Sequence, residues 1–499
     1  MDTSQLKLPF PYDVLVTIAS LADRNCRLAF LAASRSLHLD CGKYVLDDPV
    51  ILHGDQSITS FISFMRPHNH SRWRHLRSLC LSPASISSSV AEVLVSEIPR
   101  ATNLQSLQFE DAEHQLRAYP DLIPAFAALP AIKHIVIENG YTYACKMLEA
   151  THWPLDSAVF RVLADLSPWE YPDNDPQQSL YPATILRNSR ATLRTLECKR
   201  WTGRDATLLT YPVYPMLESL SVVGVWGPRP AHWAISFPNL KRLTVRTVES
   251  DFIDMDQNDL AERVATRARN LNEYESQVEH WNELAQFHGD VLDFYLLGFT
   301  CRIQRMSLSL SAKTLQFFPT VMETARPTHL RLSISSKLLS QPIPTYLHDP
   351  GLADLKSLEL DVDVWVGGKD GYEGDTDMVG FLGHVIDLLR RASTQQFTFH
   401  LSVQQFLGPV PHSMLSSSSW PEPGVSDEQE EPLTRPPASP FSPLKAWIKE
   451  VDLDALARRF FEQVSSLESV ELQIWSRDPQ SSSKSAQLSR VREPVDAKG

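Results

Sequence analysis

A phrase of seven or eight residues, L-x-x-L-x-L with substitutions, returns along almost the whole chain and restricts the fold more than any other feature. "LRSLCLS" begins at Leu76, "LQSLQFE" at Leu104, "IKHIVIE" at Ile132, "LRTLECK" at Leu193, "LESLSVV" at Leu217 and "LKRLTVR" at Leu240. "IQRMSLS" at Ile303, "THLRLSI" at Thr328, "LKSLELD" at Leu355, "QFTFHLS" at Gln396 and "LESVELQ" at Leu467 continue the series. Leu76, Leu104 and Ile132 are spaced by 28 residues, and Leu193, Leu217 and Leu240 by 24 and 23. Those intervals match the ~20–29 residues of a leucine-rich repeat. The longer gaps, 61 residues after Ile132 and 63 after Leu240, leave room for a degenerate copy or an insertion. "FRVLADLS" from Phe160 is the candidate copy in the first.

Alternation within each phrase sends its leucines to one side of a strand, and no single copy can bury that side alone. Between the phrases lie segments of helical period, such as Val90, Val93, Leu94 and Ile98, or Phe381, Leu382, Val385, Leu388 and Leu389. The expected architecture is therefore α/β, a leucine-rich-repeat solenoid over residues 76–477 in which a curved parallel sheet is backed by outer helices. Residues 51–75 read as a linker and capping helix carrying Ile58, Phe61, Ile62 and Phe64. A charged helical insertion is expected at 256–289, a Ser/Pro/acid-rich disordered loop at 411–443 and a disordered tail at 478–499.

The first forty residues lack the repeat phrase. "FPYDVLVTI" from Phe10, with Leu21 following, and then Leu28, Leu31 and "ASRSL" from Ala33, carry apolar residues at helical spacing. Helices this short cannot enclose a core of their own. Residues 8–50 resemble an F-box, whose opening runs Leu-Pro-x-Glu/Asp-Val/Ile-Leu-x-x-Ile, and "LDDPVIL" after it is similar to the exit of fungal F-box proteins with divergent repeats. Phe10 stands where Leu is usual, and Leu37 where Trp or Phe is common. The resemblance implies a three-helix unit that docks onto the Skp-type adaptor of a cullin complex through Pro11, Leu15, Ile18, Leu28 and Leu31, some of which would hold the unit to itself. It also implies a substrate-recognition subunit of a ubiquitin ligase, non-catalytic, with the solenoid holding a protein target. The alternative is a scaffold outside ubiquitin transfer, in which the helices only cap the solenoid.

Positions between the strand leucines should line the concave face. Candidates for target binding are Glu197, Lys199, Arg242, Arg246, Arg305, Glu359 and Asp361, with Glu471 and Gln473 further on. The middle of this face reads as basic and its carboxy-terminal third as acidic. The net charge of −13 over 499 residues speaks against binding nucleic acid by phosphate neutralisation and favours basic partners. No apolar run reaches the ~18 residues of a membrane span. Six cysteines without a C-x-x-C pair suggest neither zinc nor a disulfide framework. A soluble cytoplasmic or nuclear protein is expected.

Sites for chemistry are sparse. His68, His70 and His75 in "HNHSRWRH" read as a polar loop rather than as metal ligands. Asp370, Glu373, Asp375 and Asp377 miss the spacing of a calcium loop. No cofactor and no metal are expected. Ser439 and Ser442, each before Pro, are candidate phosphorylation sites in the 411–443 loop.

Overall fold

Each of the eleven repeat phrases forms a β-strand, and in each the phrase leucines are buried while the residues between them stay partly or fully exposed, apart from buried Cys80 in the first. A computed structural model describes residues 10–67, 69–82, 86–162, 182–200, 212–225, 227–247, 257–277, 280–335, 338–339, 350–366, 377–392, 394–405, 443–476 and 483–490. The chain divides into two units, Met1–Asp251 with Glu273–Trp281, and Phe252–Asn272 with Asn282–Gly499.

In the first unit the strands are β1 (Val50–Leu52), β2 (Ser78–Leu81), β3 (Ser106–Phe109), β4 (His134–Gly140), β5 (Ser157–Val162), β6 (Thr195–Lys199), β7 (Ser219–Val225) and β8 (Arg242–Thr247). Each pairs in parallel with its successor, so that Leu79, Leu107, Ile135, Ala158, Leu196, Leu220 and Leu243 stand level across the sheet. The second unit repeats the plan with β9 (Glu283–Asp290), β10 (Arg302–Leu310), β11 (His329–Ser335), β12 (Ser357–Val366), β13 (Gln396–Gln405) and β14 (Ser469–Ser476). Parallel neighbours need a crossover, and helices lie in most of the described connections between strands. Aromatic pairs seal the layers: Phe109 on Phe126 at 5.1 Å and, in the second unit, Phe397 on Phe460 at 4.8 Å between ring centres. The fold is thus α/β with a mostly parallel sheet, as the repeat arithmetic requires.

Before the sheet come three short helices, α1 (Tyr12–Leu21), α2 (Arg24–Ala33) and α3 (Arg35–Val45), and then α4 (Gly54–Met65). Asp23 caps α2 by accepting from the Cys26 N–H at 2.8 Å, and Ser34 caps α3 by accepting from Leu37 N–H at 3.1 Å. The expected capping helix in 51–75 corresponds to α4, whose Ile58, Phe61, Ile62 and Met65 are buried.

Three expectations need correction. The insertion expected as helix through 289 is helical only over Gln257–Glu275, and β9 follows it. β9 is a repeat hidden by substitution: Leu284, Phe287 and Gly289 occupy the three leucine positions, and the glycine removes the last apolar mark. The degenerate copy in the first gap begins earlier than Phe160, because Leu155, Ala158 and Phe160 fill the three positions and all are buried. Residues 163–167 of "FRVLADLS" lie outside the described residues. The tail expected as disordered from 478 contains β15 (Lys484–Ser489), which pairs antiparallel with β14. Its polar sequence hides it, since only Ala486 is buried. The loop expected at 411–443 lies outside the described residues except for Pro443, which opens the helix Pro443–Glu450.

Among the described residues no helix is long and apolar enough to cross a membrane. Among the described residues no disulfide joins any of the six cysteines, of which five are buried and Cys26 is exposed. Burial, with help from Glu110, pushes the Cys80 thiol up to about 11, so it stays protonated and unreactive.

Candidate functional site

Two surfaces carry unpartnered chemistry, one on the amino-terminal helices and one on the exposed side of the second unit's sheet. The helical surface follows from how few residues α1 and α2 bury. Contrary to the expectation that helices this short enclose no core of their own, Leu15 and Ala19 from α1, Leu31 from α2, and Leu37, Cys41 and Val45 from α3 make a small common core, with Phe64 of α4 packed against it. Arg27 of α2 fastens the three helices by donating to the Ser20 and Tyr44 carbonyls at 3.2 and 2.8 Å and pairing with Asp48 at 3.2 Å. Tyr12 donates to Asp40 at 2.7 Å, a bond that with burial holds its phenol up at about 12.

That core leaves the other face of α1 bare. Val14, Ile18 and Leu21 follow one another at intervals of four and three, one side of a helix, and Ile18 and Leu21 are 39% and 83% exposed. Leu28 of α2 is 46% exposed, and Pro11 and Phe10 are exposed at the start of α1. The expected adaptor residues therefore separate: Pro11, Ile18 and Leu28 face outward, whereas Leu15 and Leu31, 9% and 8% exposed, lie in the core of the three helices. Val14 and Leu21 belong to the outward face instead. Their spacing relative to Ile18 was the available signal.

The helices are also tied to the rest of the first unit. Buried Arg72 donates to the carbonyls of His38 and Phe64, at 2.7 and 2.6 Å, and lies 4.2 Å over the Phe64 ring. A Cβ on Gly42 would come within 3.0 Å of the Arg72 Nε, so the glycine makes room for this guanidinium.

On the strand faces, all seven predicted target-binding residues occupy the side away from the leucines. In the first unit Lys199 and Arg246 align in one row through Val223, while Arg242 aligns with Ser219 and Thr195. Arg161 of β5, missed because β5 itself was misplaced, pairs with Glu138 and Glu197. In the second unit Arg305 stands level with Gln286 and His329. Glu359 and Asp361 are drawn together with two residues that sequence alternation had not selected. Arg331 lies 2.6 Å from Asp361 and 3.4 Å from Glu359, and His400 Nδ1 lies 2.9 Å from Asp361. The Asp361 hydrogen bond, chiefly, raises the Arg331 pKa.

An open groove of about 800 Å³ runs over this region, lined by Arg305, His288, Arg331, Glu359, Asp361 and His400 among others. Donor atoms of Glu359, Asp361 and His400 lie within 4.8 Å of one another, near enough to converge on one cation. The Arg331 guanidinium already supplies positive charge to both carboxylates. Burial, reinforced by the neighbouring arginines, lowers the pKa of His288 and His329.

The sparse chemical candidates have other roles. His70 pairs with Glu97 at 3.1 Å, and His75 accepts from Arg74 Nε at 3.1 Å. Asp377 caps the helix Met378–Arg391 through Gly380 N–H at 2.8 Å. His68, Asp370, Glu373, Asp375, Ser439 and Ser442 lie outside the described residues.

No protein-family model matches the chain, and no curated protein matches it significantly.

Proposed function

We propose that this chain is the substrate-recognition subunit of a Skp-cullin-F-box type ubiquitin ligase, with α1–α3 as the F-box and the repeat array as a leucine-rich solenoid that holds the target protein. The observation that carries this reading is the outward apolar row Val14, Ile18 and Leu21, joined by Leu28, on helices that already have a core behind them. A soluble chain gains by covering such a row, and the motif around Phe10–Ile18 names the Skp-type adaptor as the cover. The function is proximity: a bound target is held near a charged conjugating enzyme, which raises the local concentration of its lysines and asks no bond chemistry of this chain.

A second reading, a scaffold whose helices only cap the sheet, is favoured by Arg72, which fastens α3 to the residues beneath it. Co-purification of the full chain with a Skp-type adaptor separates the two. Capture of the adaptor by the native chain and its loss in Ile18→Asp and Leu28→Asp supports the ligase subunit. Failure of the native chain to capture the adaptor leaves the scaffold.

A further inference from the structure

The acidic end of the second unit's sheet has a ligand chemistry of its own. Strands β12, β13 and β14 run in strict register, so their outward residues form rows: Glu359–Thr398–Glu471, Asp361–His400–Gln473 and Asp363–Ser402–Trp475. Neighbouring strands are ~4.8 Å apart, which puts Asp363 and Trp475 about 10 Å from each other across Ser402. Trp475 is 55% exposed, and its indole N–H donates to Gln473 Oε1 at 3.0 Å, fixing how the ring stands. An indole this exposed on a sheet face suits a partner's anchor, since Trp is among the residues enriched at binding hot spots.

Charge decides what would anchor there. Of four carboxylates there, Glu359, Asp361, Asp363 and Glu471, the guanidinium of Arg331 reaches the first two, and Glu471 accepts from Gln473 Nε2. Among the described residues no cation pairs with Asp363 or Glu471. Arg331 itself shows which group these carboxylates accept, a guanidinium at hydrogen-bonding distance. One step along the strand a single carboxylate, Asp363, stands level with Ser402 on the groove wall, with Trp475 on the next strand.

We propose that this face binds a basic peptide segment of the target protein, with an arginine or lysine side chain lying against Trp475 and its charged head at Asp363. The aliphatic stem and cation suit the indole face, and the carboxylate completes the pair in a partly desolvated groove. This deepens the proposed target-binding role of the strand face and rests on it, but is independent of whether the helices bind an adaptor.

The test is fluorescence anisotropy of the full chain with three labelled peptides of equal length, rich in Arg/Lys, in Glu, or in Gln. The basic peptide should bind and the others should not. Trp475→Ala should weaken it about thirtyfold and Asp363→Asn about fivefold. Glu462→Gln removes the same charge from an exposed helix position and should change nothing. No binding of the basic peptide, equal binding of all three, or equal losses from Asp363→Asn and Glu462→Gln would each overturn the proposal, the last by reducing it to net-charge attraction. Adaptor capture, measured on the same proteins, should be untouched by Asp363→Asn and Trp475→Ala. A chain that captures the adaptor but ignores the peptides therefore loses this inference and keeps its ligase reading.

Discussion

Leu15 and Ile18 are three residues apart on α1 and point in different directions: Leu15 is 9% exposed within the three-helix core, while Ile18 is 39% exposed on the outer row. Asp at the two positions should therefore act differently. Leu15→Asp buries an unpaired carboxylate and empties an apolar site, costing on the order of 4 kcal/mol, and thermal melts should show the helical unit lost. Ile18→Asp should leave the melt within about 0.5 kcal/mol and weaken adaptor capture by about 2 kcal/mol or more. Equal effects on both measurements would refute the division.

Arg72 holds α3 to the layer below through two carbonyls and an aromatic face. Arg72→Ala should strip out those bonds at a cost of about 3 kcal/mol. Hydrogen exchange should quicken in 35–45 while β3 and β4 keep their protection.

Gly298 ends the helix Val291–Leu297 at φ +64°, and a Cβ there would lie 2.9 Å from Leu271 N. Both the left-handed backbone and the close approach exclude a side chain. Gly298→Ala should cost about 2 kcal/mol or more, read from denaturant midpoints.

His232 is pushed down to about 4, mainly by burial and secondarily by Arg229. Its neutral form belongs to the fold, so protons bind the unfolded chain preferentially below its ordinary value of 6.5. Stability should be full above that pH, fall as pH drops through 6.5, and level off near 4. His38, His75, His288 and His329 shift in the same direction. His232→Gln should flatten part of the decline, and an unchanged pH profile of melting temperature would refute its share.

β15 covers the free edge of β14, and Lys484 donates to the carbonyls of Ile448, Lys449 and Val451 at 3.0 to 3.1 Å. Removing residues 483–499 should open a hydrogen-bonding edge and release that helix end. Light scattering should then report association that the full chain does not show.

The repeat period could be read from residues alone because a strand has only two sides, and leucine at alternate positions says which side is inward whatever the neighbours are. For the same reason all seven predicted face residues point away from the core. β5 and β9 escaped because Ala158 and Gly289 stand where the adjoining strands carry Ile135 and Leu308, and β15 because an antiparallel edge strand needs backbone pairing rather than an apolar pattern. Helices are less legible: helical spacing in α1 and α2 marks apolar residues without saying which of two faces finds a partner. Only the packing of α3 decided that Leu15 and Leu31 turn inward and Ile18 and Leu28 outward. Only the cross-strand register put Arg331 beside Glu359 and Asp361, and Trp475 in line with Asp363 across Ser402, since residues on different strands are brought level by parallel pairing that no local pattern encodes.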